Sequence, residues 1–207
     1  MISSRCNDPF PVAAKGAKRL SDIRAQLKAE IEAVEIFGQP VYEVWINEKA
    51  AEDGSQQAWD HCMEQARDCD ALIALFNGNA GWPDKAGTIG ICHAEFEKAY
   101  TSAPGKVFVV NIHEPKAKGA PSGGIHTSFQ EYIQRLRRFD TRATSSEAQL
   151  LEAVRRTISQ ATVKMVQRGV RDASRGTSYV GRPRLEQTQL RCPSCQNAEC
   201  GPGWIEP

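Results

Sequence analysis

The chain has 207 residues, 41% of them hydrophobic and 7% aromatic, which is enough for one α/β domain of roughly 150 residues plus a tail. Lysine and arginine (26) almost balance aspartate and glutamate (25), so no strong global field draws the chain to nucleic acid or to a membrane surface. No apolar run reaches the roughly 20 residues that a membrane helix needs, and the start, Met1-Ile2-Ser3-Ser4-Arg5-Cys6, lacks the apolar core of a secretory signal. Seven scattered cysteines fit a reducing cytoplasm better than a disulfide framework.

Residues 1–5 read as the end of a first strand, and Asn7-Asp8-Pro9-Phe10-Pro11 as the loop that leaves it. Residues 17–37 predict a helix with Leu20, Ile23, Leu27, Ile31 and Val34 on one stripe, stopped by Gly38-Gln39-Pro40. Residues 41–46 have strand composition, and residues 55–68 predict a second helix with Ser55 as N-cap. Residues 71–76 form an unbroken apolar run that suits a parallel strand buried on both faces. A loop of turn residues covers 77–84, a third helix 89–101 and a second buried strand 106–112. A Gly/Pro/Ser-rich loop spans 114–124, and helices follow near 127–138 and 146–166, with Thr144 and Glu147 spaced as a capping box.

This alternation predicts an α/β sandwich around a mostly parallel sheet, over residues 1–166. Residues 167–207 change character. Arg168, Arg171, Arg175, Arg182, Arg184 and Arg191 are interleaved with Gly, Ser and Thr, the composition of a flexible basic linker.

In an open parallel sheet, ligands sit beyond the carboxyl ends of the strands. That rule selects Ser3-Ser4-Arg5, the stretch from Asn77 to Thr88, and the stretch from Asn111 to Glu114. The second stretch leads into the helix that carries Glu95. Glycines let backbone N–H groups approach a phosphate or ribose. A carboxylate beside them stabilises a ribosyl cation when an N-glycosidic bond breaks, as in glycoside hydrolysis. The plainer alternative is a turn followed by a surface glutamate.

Several motifs occur in a fixed order: Ile2-Ser3-Ser4, Glu30-Ile31-Glu32-Ala33-Val34, Gly38-Gln39-Pro40-Val41-Tyr42-Glu43, Cys69-Asp70-Ala71-Leu72-Ile73-Ala74-Leu75-Phe76-Asn77-Gly78, Gly81-Trp82 and Ala94-Glu95-Phe96-Glu97-Lys98-Ala99. Over about residues 1–160 this series resembles a TIR-like domain family of unknown function, found N-terminal to bacterial STAND-type NTPases and other sensors. That family is related to TIR domains and nucleoside deoxyribosyltransferases.

The resemblance implies a flavodoxin-like, three-layer fold and a catalytic carboxylate at Glu95. It implies that Ser4 and Arg5 line the ribose and phosphate side, that Trp82 stacks on a base or nicotinamide ring, and that Gly78, Asp84 and Thr88 belong to the substrate loop. The implied reaction is hydrolysis of NAD⁺, a substrate rather than a cofactor, in anti-phage defence. The implied partners are further copies of the chain and a fused or separate sensor or NTPase. Ile31 and His93 depart from the family's pattern and favour a non-catalytic self-association module as the alternative. The run from Asp84 to Glu95 favours a deoxyribosyltransferase as a third reading.

His93 reads as a structural or exposed histidine, because two residues along a helix it faces away from Glu95. Cys62, Cys69 and Cys92 read as packed thiols, and Cys6 as a thiol near the site. Cys192, Cys195 and Cys200 resemble half of a zinc ribbon, although a closed structural site needs four ligands.

Overall fold

A computed structural model describes residues 1–11, 15–47, 56–112, 123–136 and 139–175. The elements in chain order are β1 (Ile2–Ser3), β2 (Pro9–Phe10), β3 (Lys18–Arg19), α1 (Leu20–Glu32), β4 (Glu35–Ile36), β5 (Gln39–Pro40) and α2 (Gln56–Asp68). They continue with β6 (Leu72–Phe76), α3 (Ile91–Ser102), a 3-10 turn (Pro104–Lys106), β7 (Val107–Asn111), α4 (Gly124–Leu136) and α5 (Glu147–Arg175).

The apolar runs of β6 and β7 set the architecture. They pair in parallel from Leu72↔Val107 to Phe76↔Asn111, and β1 joins the other edge of β6 through Ile2↔Ile73 and Ser3↔Ala74. The sheet order is β1-β6-β7. Successive side chains along a strand point to opposite faces, so each strand feeds two cores. Ile73, Leu75, Phe108 and Val110 pack with Leu20, Ile23, Leu27 and Ile31 of α1 and with Leu150 and Val154 of α5. Leu72, Ala74, Phe76, Val107 and Val109 pack with Cys62 and Ala66 of α2, Phe96 and Ala99 of α3, and Phe129 and Ile133 of α4. Helices cover both faces, and the α/β sandwich expected from the sequence is what the chain forms.

Several elements depart from the expectation. Residues 41–46 do not become a regular strand. Their link to the sheet runs through the Ile2 N–H, which donates to Trp45 O at 3.0 Å. β1 has only two residues to pair with, so a longer ladder has no partner there.

The first helix is shorter than residues 17–37. Its amino end gives way to β3, which pairs with β2. Its carboxyl end gives way to the β4–β5 hairpin. Phe37 and Gly38 both have positive φ, 53° and 75°, as a tight hairpin turn demands. Gly38 therefore turns a hairpin rather than stopping a helix.

The last helix runs on to Arg175, past the expected end at 166. At its start Ser146 Oγ accepts from the Gln149 N–H, and Gln149 Oε1 accepts from the Ser145 N–H. Thr144 instead donates to Asn111 O, and Glu147 pairs with Lys18 at 2.6 Å. The expected cap at Ser55 lies outside the described residues.

The chain divides into two compact units, Met1–Thr162 and Val163–Pro207. Among the described residues no helix is long and apolar enough to cross a membrane.

The junction between the loop after β6 and α3 is tight. The Ile91 N–H donates to Trp82 O at 2.8 Å and the Cys92 N–H to Ala80 O at 2.9 Å. A Cβ at Gly90 would lie 2.1 Å from Ala80 O. Gly87, unlike Gly90, has a positive φ, 71°, and a Cβ there meets nothing within 4 Å. Overpacking costs typically about 1–3 kcal/mol and a left-handed alanine about 1–2. Urea denaturation should therefore show Gly90→Ala losing about 2–3 kcal/mol and Gly87→Ala about 1 kcal/mol.

Candidate functional site

A cavity of about 180 Å³ opens at the carboxyl end of β1. The turn after β1 supplies Ser4, Arg5, Cys6 and Asn7. α1 supplies Arg24, the segment after the β4–β5 hairpin Asn47, and α2 Cys62. The loop after β6 supplies Trp82, and α3 supplies Ile91, Cys92 and Glu95.

Glu95 is only 5% exposed. Ser3 Oγ donates to its Oε2 at 2.5 Å. Burial pushes the Glu95 carboxyl above its ordinary value of 4.5, against the opposing pull of the Ser3 hydrogen bond, the Arg24 charge and a hydrogen bond from Cys62. The carboxyl lies in the cavity wall with its charge only partly compensated.

Arg24 lines the same cavity, adds a compensating charge and is 2% exposed. Its Nη2 donates to Cys6 Sγ at 2.7 Å and to Asn47 O at 3.2 Å, and its Nη1 donates to Ser4 O at 3.4 Å. The guanidinium ties together three separate stretches of chain around the cavity. Asn47 Nδ2 in turn donates to Cys62 Sγ at 2.7 Å. Burial, with the negative charge of Glu95 beside it, pushes the Cys62 thiol up to about 12. Burial likewise raises the Cys92 thiol.

The structure gathers Ser4, Arg5, Trp82 and Glu95 around one cavity. Trp82 is half-buried and meets Trp59 edge to face at 5.1 Å. Gly78, Asp84 and Thr88 do not line this cavity. Gly78 O accepts from Gln130 of α4 at 3.0 Å. The Asp84 carboxylate is occupied within its own loop, by the Thr88 N–H at 2.7 Å, the Thr88 hydroxyl at 3.0 Å and the Ile89 N–H at 3.2 Å.

The glycine-rich loop likewise does not present the first N–H groups of α3 to an anion. Those of Ile91 and Cys92 already bind the carbonyls of Trp82 and Ala80. Positive charge at the cavity comes from Arg5 and Arg24.

His93 is a core residue, stacked on Phe129 at 4.9 Å and set against Tyr132 at 5.0 Å. Burial holds its imidazole below the usual value, as expected of a neutral structural ring. Two polar ties went unread in the sequence. His126 Nδ1 accepts from the Ala80 N–H at 3.1 Å. The Asp8 carboxylate accepts from Asn77 at 2.6 Å and Asn79 at 3.0 Å, joining the loops after β1 and β6.

Arg24 and Asn47 were also missed. Arg24 did carry a signal, because it stands four residues after Leu20 and three before Leu27. That spacing puts a charge on the apolar stripe. No group of metal-ligating residues occurs among the described residues, and Cys192, Cys195 and Cys200 lie outside them.

Residues 17–162 match the family described as "Domain of unknown function (DUF4062)", and the chain belongs to that family. The match includes Arg24, Cys62, Trp82 and Glu95, while Ser3 to Cys6 precede it. Nothing among curated proteins or solved structures matches the chain.

The raised Glu95 carboxyl predicts a pH dependence of stability. Folding makes this acid bind its proton more tightly, so its contribution is fully present below the unfolded value. It is lost as pH rises through the folded value. Glu95→Gln keeps an acceptor for Ser3 and removes the ionisation. Urea midpoints measured from pH 4 upward should fall more steeply for wild type than for Glu95→Gln; parallel profiles would contradict the assignment.

Proposed function

We propose that this domain hydrolyses the N-glycosidic bond of NAD⁺, releasing nicotinamide. The observation that carries the reading is the Glu95 carboxyl, buried in a cavity at the carboxyl edge of a parallel sheet and held above its ordinary range. A pyridinium ribosyl group brings positive charge into that cavity. Its arrival favours ionised Glu95. The carboxylate then stabilises the ribosyl cation as nicotinamide leaves, and water attacks the anomeric carbon to give ADP-ribose and a proton.

Trp82 offers a ring face to nicotinamide. Ser4 and Arg5 line the ribose and phosphate side. The resemblance supports a cytoplasmic effector that assembles with further copies under a fused or separate sensor, in anti-phage defence.

One observation favours a second reading, a non-catalytic self-association module. The Ser3–Glu95 hydrogen bond already joins β1 to α3, which gives the carboxyl structural work without a substrate.

NAD⁺ loss at high protein concentration should be detectable in wild type and fall about 100-fold or more in Glu95→Gln, the usual scale for removing a group that stabilises transition-state charge. Unchanged turnover in the variant would move the chemistry away from Glu95. No turnover, even in artificially clustered protein, would leave the module reading. Base exchange on a deoxynucleoside would point to deoxyribosyl transfer instead.

A further inference from the structure

Three of the cavity's side chains are thiols, Cys6, Cys62 and Cys92, and the reading above gives none of them a chemical role. Their surroundings differ. Cys62 and Cys92 are buried, and burial keeps both protonated at neutral pH. Cys6 is half-exposed. Its sulfur accepts a hydrogen bond from the Arg24 guanidinium at 2.7 Å, and its thiol donates to Asn47 O at 3.5 Å. A guanidinium at that distance favours the thiolate, the form that reacts. Ser4 lines the same cavity, and its buried Oγ has no hydrogen-bond partner among the described residues. A small polar occupant beside Cys6 would supply one.

We propose that Cys6 is an oxidant-reactive thiol, with a hydroperoxide as the small polar molecule that enters the cavity and modifies it. The Cys6 sulfur attacks one peroxide oxygen. An S–O bond forms as the O–O bond breaks, and sulfur loses two electrons to the peroxide. The displaced hydroxide or alkoxide takes up from solvent the proton released when the thiolate formed and leaves as water or alcohol, and Cys6 becomes a sulfenic acid. Arg24 is a positioning residue for this step, holding the thiolate rather than touching the peroxide. The inference does not rest on the NAD⁺ reading.

The test uses the full chain, with each cysteine followed by peptide mass mapping. Iodoacetamide at neutral pH reports the thiolate, and hydrogen peroxide followed by dimedone reports the sulfenic acid. Cys6 should be alkylated at least about tenfold faster than Cys62, Cys69 and Cys92, and should take up dimedone ahead of them. In Arg24→Gln the midpoint of the alkylation-rate profile should move to higher pH, while Arg24→Lys should keep most of the wild-type profile. If Arg24→Gln does not fold, the comparison of thiols within the wild-type chain still decides the claim. Reaction of Cys6 no faster than Cys69, or a folded Arg24→Gln with an unmoved pH profile, would overturn it. Neither readout uses NAD⁺, so failure here and failure of the hydrolysis assay are separate results.

Discussion

The site depends on one contact, the hydrogen bond from Ser3 Oγ to Glu95 Oε2. A carboxyl group taken out of water is costly unless it is paired and hydrogen-bonded. Ser3, the Cys62 thiol and the Arg24 charge provide that compensation from β1, α2 and α1 in turn. The requirement links the two faces of the sheet. α1 packs in one core and α2 and α3 in the other, yet all three send a side chain to the same cavity at the end of β1.

A second part of the cavity lining is built around Arg24. Its guanidinium reaches Ser4 O, Cys6 Sγ and Asn47 O, so a single buried cation holds the turn after β1 against the segment that follows the β4–β5 hairpin. The same fork separates the thiols chemically. Cys6 lies against a cation at the edge of solvent, whereas Cys62 lies in the interior beside a carboxylate. The cavity lining therefore holds an acidic and a basic side chain together, an arrangement that orients a polar ligand.

Long apolar runs made the centre of the fold legible. Residues 72–76 and 107–111 have no polar alternative face, and both became buried parallel strands. The helices expected over 55–68 and 89–101 formed over 56–68 and 91–102. Short elements were not legible, because two-residue pairings such as Pro9↔Arg19 and Glu35↔Pro40 carry no periodicity to read. Of the site, Ser4, Arg5, Trp82 and Glu95 were legible from strand ends and from the family resemblance. Asp84 and Thr88 have the composition of a substrate loop, but they satisfy each other's polar groups. Arg24 was marked only as a charge on an apolar stripe and Asn47 not at all, because their partners, such as Cys6 for Arg24 and Cys62 for Asn47, are distant in sequence.

The site turns on the state of one carboxyl group, and a direct titration reads it. Carbon-13 labelling of the glutamate side chains, with the Glu95 signal assigned by its loss in Glu95→Gln, follows that carboxyl by NMR as pH is changed. The account predicts a titration midpoint above 4.5 that moves to lower pH when the protein is saturated with NAD⁺, as the pyridinium charge enters the cavity. A midpoint at or below 4.5, unmoved by NAD⁺, would contradict it.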